Sequence, residues 1–216
     1  DLEKFDEVIK SYKKYKIPDT LPDGDDDLVQ LIHQKVRDAF IELGKYEDAL
    51  DCSNEMMEVY PSANNYIWEG VILESLGRSQ NAKTSYDNAI KIDPEDDEGY
   101  SFMARALMAE ENFEDAIDYY KKAWDISKDD EMILQQGRAI KEIGNREKSD
   151  EKFKEAEAVF DKILESRKCA GRAWLEKGNC NWNLKKYNVA EDCWLTSSEI
   201  IPENAFVWLC LGDVRY

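Results

Sequence analysis

Small residues recur along this chain of 216 residues at nearly constant intervals, and this spacing constrains the fold more than any other feature. Each interval holds two stretches with apolar residues at helical spacing and a turn between them. Small residues on facing sides allow two helices to approach closely. The sequence therefore predicts an all-α array of stacked helix pairs without a single central core. The small residues that begin the middle of each second helix are 33, 34, 33 and 41 positions apart: Ala49, Ala82, Ala116, Ser149 and Ala190.

The clearest copy of the pattern lies between Ser62 and Pro94, and the fifth copy is nearly as complete. The first copy departs from the pattern at Arg37, where the small residue of the first helix is expected, and the fourth departs at Ser149. In the two best copies the aromatic residues, small residues and closing proline are Tyr66, Gly70, Ala82, Tyr86 and Pro94, then Trp174, Gly178, Ala190, Trp194 and Pro202.

A period near 34 residues with two helices in each unit resembles the tetratricopeptide repeat family. The resemblance implies an all-α, right-handed superhelix (an α-solenoid) of about five repeats plus the first helix of a sixth. It also implies that the first helix of each pair, helix A, lines a concave groove, with helix B as its second helix. Such grooves hold an extended peptide or a helix of a partner protein.

The order predicted along the chain is a capping helix, an acidic linker and the array. Apolar residues at helical intervals predict the capping helix at 1–17, and the prolines and aspartates of 18–27 predict a solvated linker. The array is expected to cover 28–216, with repeats at 28–62, 63–96, 97–129, 130–170, 171–204 and, as a partial copy, 205–216.

The interval of 41 positions in the fourth repeat is about seven residues longer than a standard repeat. An apolar stripe through Phe153, Ala156, Phe160 and Ile163 predicts that helix B of this repeat is elongated, with the extra length at 157–168. The extra length is either a neutral insertion at the rim or an element that bends the array or contacts a partner.

The composition disfavours several classes of function. A net charge of −18 disfavours nucleic acid and anionic membranes as partners. The five cysteines form no CxxC pair and only one histidine is present, so we expect no metal site, and a reducing, cytoplasmic location. The sequence contains no apolar run of membrane-spanning length, no phosphate-binding loop and no hydrolase motif, and we therefore expect neither an enzyme nor a cofactor.

Superimposing the repeats places Arg105, Arg138 and Asn179 at one position of helix A, just after the small residue. The family resemblance implies that this position faces the groove. Lys141, Arg172 and Trp182 are expected on the same surface, which predicts a peptide-binding groove formed by all six residues. Two interpretations of the cations remain open. They form a positive patch for acidic peptides, or they pair inside the array with carboxylates such as Glu74 or Glu142.

The resemblance predicts a protein-interaction scaffold that binds a peptide or a helical segment of a partner protein. An alternative is a self-assembly module, because residues 205–216 form an apolar helix A with no helix B after it. Either the natural chain continues beyond this helix, or the helix pairs with another chain and forms a homo-oligomer or part of a larger complex.

Overall fold

The structure, a computed structural model, describes residues 5, 7–10, 26–166 and 170–214. Within these residues the chain forms helices joined by short turns, and no strand. Residues 7–10 are helical, whereas most of the predicted capping helix and nearly all of the predicted linker lie outside the described residues. The other helices are α1 (Asp26–Glu42), α2 (Tyr46–Val59), α3 (Ala63–Ser75), α4 (Ser79–Ile92), α5 (Asp97–Ala109), α6 (Phe113–Ser127), α7 (Asp130–Glu147), α8 (Asp150–Ser166), α9 (Ala170–Asn183), α10 (Tyr187–Ile200) and α11 (Ala205–Val214).

The chain divides into two compact units, unit 1 ending at Phe102 and unit 2 beginning at Met103. In unit 1, α1 packs on α2, α2 on α3 and α3 on α4. In unit 2, each helix from α6 to α10 packs on the next helix along the chain. Packing between sequence neighbours is typical of solenoids, in which each repeat is buried by the repeats beside it. The fold is therefore an α-solenoid, with odd-numbered helices as helix A and even-numbered helices as helix B.

A glycine in helix A faces an aromatic ring from helix B in three of the pairs. A Cβ atom at Gly70 would lie 2.3 Å from Cε1 of Tyr86, and one at Gly178 would lie 2.3 Å from Nε1 of Trp194. Any larger side chain at these positions would push the ring out of the core. The ring of Phe160 lies against Gly137 in the same way, at 2.5 Å. These contacts explain why small residues recur at a fixed spacing.

The first pair reverses this arrangement of large and small residues. Arg37 occupies the position in α1 that Gly70 occupies in α3, and Ser53 occupies the position of Tyr86. Both are buried, at 3% and 1% exposure. The Arg37 guanidinium lies 4.5 Å from the ring centroid of Trp68 and donates to Asp38 at 2.9 Å. In this pair the large residue therefore lies in helix A and the small one in helix B.

The fourth repeat corrects the prediction about its extra length. Phe160 packs on Gly137 as Tyr86 packs on Gly70, so the counterpart of Ala82 is Ala156 and not Ser149. Relative to α3 and α4, α7 extends five residues further past its glycine and α8 begins three residues earlier before its alanine, while the turn is one residue shorter. Past the alanine, α8 ends where α4 does. The seven extra residues therefore lie at 145–151, not at 157–168.

The sequence agrees with this placement once the core contacts are known. Without residues 145–151, NREKSDE, the chain would read IGKFKEA up to Ala156, which matches LGKYEDA at 43–49. The prediction was wrong because Ser149 happens to fall at the expected count, although it is only half-buried, whereas Ala156 is fully buried. Both helices of the pair are therefore lengthened at the end where they meet.

Candidate functional site

Three successive A helices of unit 2, α7, α9 and α11, contribute side chains to one open pocket. Its volume is about 280 Å³, close to the lower limit of small-molecule sites. Amide and aromatic side chains dominate the lining, so the pocket offers both polar and apolar contacts. The lining residues are Lys141, Asn145, Asn179, Trp182, Asn183, Trp194, Phe206 and Cys210.

A buried carboxylate, Glu176 of α9, holds the two cations of α7 beside this pocket. Arg138 donates from Nε to Oε1 of Glu176 at 2.7 Å, and Lys141 donates from Nζ to Oε2 at 2.8 Å. The same oxygen, Oε2, accepts from Nδ2 of Asn179 at 3.2 Å, and Glu176 is only 5% exposed. Arg138 and Lys141 therefore pair inside the array, with an acid from the following repeat. Glu142, one of the predicted partners, makes an additional ion pair with Lys141, at 3.3 Å.

The electrostatics of this cluster favour its charged forms. Burial would raise the pKa of Glu176, but the charges of Lys141 and Arg138 and their hydrogen bonds hold it below the usual value. Burial would likewise lower the pKa of Lys141, but the Glu176 carboxylate raises it above the usual value. The cluster is therefore a compensated ion network, and it does not present an open positive patch.

The remaining predicted cations lie away from the pocket. Arg172 pairs with Glu131 of α7 at 2.6 Å and is 44% exposed in its side chain. Arg105 is exposed on α5. Burial raises the pKa of Tyr120 to about 12, and the charge of Arg105 opposes this rise. The structure thus brings Arg138, Lys141, Asn179 and Trp182 together, but not Arg105 or Arg172.

Aromatic residues form the apolar wall of the pocket. The ring centroid of Trp182 lies 4.8 Å from that of Tyr187 and 5.7 Å from that of Trp194. Trp194 donates from Nε1 to Oδ1 of Asn179 at 3.2 Å, so the Asn179 amide is bonded on both sides and positions the wall. On α11, Phe206 is 53% exposed and borders the opening.

Six residues of this site were not predicted from the sequence as site residues: Asn145, Glu176, Asn183, Trp194, Phe206 and Cys210. Asn183 donates from Nδ2 to Oδ1 of Asn145 at 3.4 Å, and Asn145 donates from Nδ2 to Glu142 at 3.0 Å. Asn145 lies four residues after Lys141 in α7, and this spacing places both on one face of a helix. That signal was available only if α7 was known to continue past Gly144.

Comparisons with known proteins bear on the family. Residues 63–96 and 100–131 each match a family model described as a tetratricopeptide repeat. The chain is a tetratricopeptide repeat protein. No curated protein sequence matches it.

Solved structures similar to this tetratricopeptide repeat protein include three that are 16–20% identical to it, a level that shows the fold alone. The C-terminal part of a TPR repeat-containing protein from Cytophaga hutchinsonii has a TM-score of 0.71 at 20% identity, covering 99% of this chain and 78% of that one. A protein from Parabacteroides merdae has a TM-score of 0.71 at 18% identity, covering 84% and 70%. YrrB, described as a TPR protein with an unusual peptide-binding site, has a TM-score of 0.63 at 16% identity, covering 93% and 95%.

The described residues of this tetratricopeptide repeat protein contain neither a membrane-spanning helix nor a metal-binding cluster. No helix there combines the length and the apolar character needed to cross a membrane. No group of three or more His, Cys, Asp or Glu side chains in that part of the chain is placed to hold a metal ion.

Proposed function

We propose that this tetratricopeptide repeat protein binds a segment of a partner protein across α7, α9 and α11 of unit 2. The observation that carries the proposal is the pocket itself, because three successive A helices place amide and aromatic side chains around one opening. Peptide segments are recognised through main-chain hydrogen bonds together with pockets for individual side chains. Exposed aromatic residues are the usual energetic centres of such contacts. The peptide-binding site of the structurally similar YrrB supports the proposal.

The predicted site residues take different roles in this proposal. Trp182 and Lys141 line the pocket and contact the ligand. Arg138 shapes the pocket from behind through Glu176, and Asn179 does so while also lining it. Arg105 and Arg172 lie outside the pocket lining.

A displayed library of random peptides, selected against the chain, tests this proposal. We expect a selected peptide to bind Phe206→Ala at least about tenfold more weakly than the unaltered chain, because a central aromatic contact contributes more than about 1 kcal/mol. The matched control is Val189→Ala on α10, since Val189 is 43% exposed but lies outside the pocket. Retention of no peptide above background, or equal binding by both variants, would contradict the proposal.

A second candidate function is self-association through α11. Three large apolar side chains of this helix are exposed: Phe206 at 53%, Trp208 at 53% and Leu209 at 65%. Solenoids bury such faces against a further element, and here a second copy of the chain would supply it. Light scattering over a range of concentrations should then show a dimer, which Leu209→Glu converts to a monomer. An unaltered chain that stays monomeric at high concentration would exclude self-association through α11.

A further inference from the structure

We infer that the segment bound at this pocket is extended and uncharged, with an apolar side chain in the pocket, and that the lengthened end of α7 forms part of the site. This inference rests on the proposed peptide-binding function, and it specifies the chemistry of the ligand. It also gives the seven-residue extension at 145–151 a role in binding.

The charges around the pocket are balanced. Lys141, the only charged residue among the described residues of the lining, is bonded to Glu176 and Glu142, and Arg138 behind it is bonded to Glu176. The other lining residues are neutral amides, aromatic rings and a cysteine. An acidic ligand would therefore meet no unpaired cation in a chain of net charge −18. A basic ligand would meet no carboxylate in the lining, so an uncharged ligand fits best.

The pair formed by Asn145 and Asn183 complements a peptide group. The Nδ2 amide of Asn145 keeps one N–H beyond the one that it donates to Glu142. Among the described residues, Oδ1 of Asn183 accepts no hydrogen bond, while its Nδ2 donates to Asn145 and to the Asn179 carbonyl. The pair thus offers one donor and one acceptor, and a peptide group offers one acceptor and one donor. Two such hydrogen bonds hold a main chain whatever its sequence.

The extension is what brings Asn145 to this place. Helices α3 and α9 end five residues after their glycines, at Ser75 and Asn183, whereas Asn145 lies eight residues after Gly137. In a repeat of standard length this position would fall beyond the end of helix A. The added residues of α7 therefore raise one wall of the pocket opposite Asn183.

The apolar wall lies beside this amide pair. Trp182 precedes Asn183 in α9, and Phe206 faces the same opening from α11. A segment held by its main chain at Asn145 and Asn183 would place one side chain between these two rings. The volume of 280 Å³ suits one or two side chains of a segment that continues along the groove.

Peptides selected from the displayed library test the inference by their composition. We expect enrichment of aromatic or large aliphatic residues at one position, with no enrichment of Asp or Glu. Affinity for a selected peptide should change little with salt, because no charge pair forms across the contact. Glu176→Gln, which leaves Arg138 and Lys141 without this carboxylate, should shift the selection toward acidic peptides.

Two exposed-site variants test the role of the amide pair without disturbing the core. Asn145→Ala and Asn183→Ala should each weaken binding of the same peptide about five- to tenfold, the factor for one hydrogen bond. Asn188→Ala on α10, an exposed asparagine outside the pocket, is the control and should bind as the unaltered chain does.

The outcomes separate this inference from the proposed function. Selected peptides that are acidic, or that bind Asn145→Ala and Asn188→Ala equally well, would overturn the inference and leave peptide binding intact. A library from which no peptide is retained would overturn both.

Discussion

At the scale of single residues, Arg37 and Ser53 occupy the positions at which three other helix pairs carry a glycine and an aromatic ring. In those three pairs the large side chain lies on helix B, whereas in the first pair it lies on helix A. Because the two positions face each other, neither should tolerate a change alone. The arginine also leaves one buried nitrogen, Nη1, with no hydrogen-bond partner among the described residues, and the serine hydroxyl is in the same state.

We predict that substitutions of Arg37 and Ser53 toward the common arrangement have coupled effects on the free energy of unfolding. Arg37→Gly should lower the free energy of unfolding by about 2–4 kcal/mol, because it leaves a cavity beside Trp68. Ser53→Tyr alone should cost about 1–3 kcal/mol through overpacking. The double variant should lose less stability than the sum of the two single losses, by about 1 kcal/mol or more. Urea denaturation of the four proteins measures this coupling, and strict additivity would contradict it.

Glu176 gives a prediction about pH. Its pKa in the folded chain is held below the unfolded value of about 4.5 by Lys141 and Arg138, against the effect of burial. A lowered pKa contributes stability that is complete above the unfolded value and is lost as the pH falls through the folded value. Glu176→Gln should therefore cost about 2 kcal/mol near neutral pH, and this difference should shrink below about pH 4.5.

Urea denaturation of both proteins across this pH range tests the prediction. Glu114→Gln serves as the control, because Glu114 pairs with Arg146 at the surface and its charge is screened by solvent. Its effect at neutral pH should be much smaller. A difference for Glu176→Gln that stays constant down to about pH 3 would contradict the role of the ion network.

Individual residues show how much of the fold and of the candidate site could be predicted from the sequence. Gly70, Gly178 and their aromatic partners predicted the fold, because a small residue opposite a ring is a local pattern repeated in one chain. The partner of Arg138 could not be predicted, since Glu176 is 38 positions away and becomes its neighbour only through the register of α7 against α9. Trp182 could be singled out from the sequence as a candidate, but Phe206, which lines the same pocket, could not, because its place depends on the position of α11.

At the scale of helices, the extension at 145–151 lengthens α7 and α8 without adding to the buried core. None of its seven side chains is buried, whereas Phe160 and Ile163, in the segment first predicted to hold the extra length, are fully buried. The extension adds contacts at the surface: Arg146 pairs with Glu114 of α6, and Asn145 accepts a hydrogen bond from Asn183 of α9. Such exposed ion pairs contribute little to stability. The extension should therefore be dispensable for folding.

We predict that deleting residues 145–151 leaves a folded chain with a standard fourth repeat. Its helical circular dichroism should persist, and its thermal midpoint should change by about 4 °C or less, since about 1 kcal/mol or less is lost. Deleting residues 157–163, a segment of equal length, removes Phe160 and Ile163 and should unfold unit 2. Equal damage by both deletions would contradict the placement of the extra length.

At the scale of the whole molecule, the dominant property is the net charge of −18. Like charges repel one another in the compact state, and salt reduces this repulsion by shortening the Debye length from about 30 Å at 0.01 M to about 8 Å at 0.15 M. The ion pairs that salt would weaken are mostly at the surface, such as those of Arg78 with Glu47 and Lys128 with Asp125.

We therefore predict that salt stabilises the protein. The thermal midpoint should rise by about 2–4 °C over this range of ionic strength, equivalent to about 1 kcal/mol for a chain of this size. Sodium and potassium chloride should act alike, because screening depends on ionic strength and not on the cation. Scanning calorimetry measures the midpoint, and a fall with added salt would mean that attractive pairs outweigh the net repulsion.

The lengthened ends of α7 and α8 and the short turn between them also matter for protein engineering. The chain already carries seven extra residues there while Phe160 keeps its usual contact with Gly137 and Ala156 stays fully buried. Loops or short tags inserted between Glu147 and Asp150 would thus stand at the rim of the pocket without entering the core. Variation in this one turn offers a way to diversify ligand recognition on an unchanged scaffold.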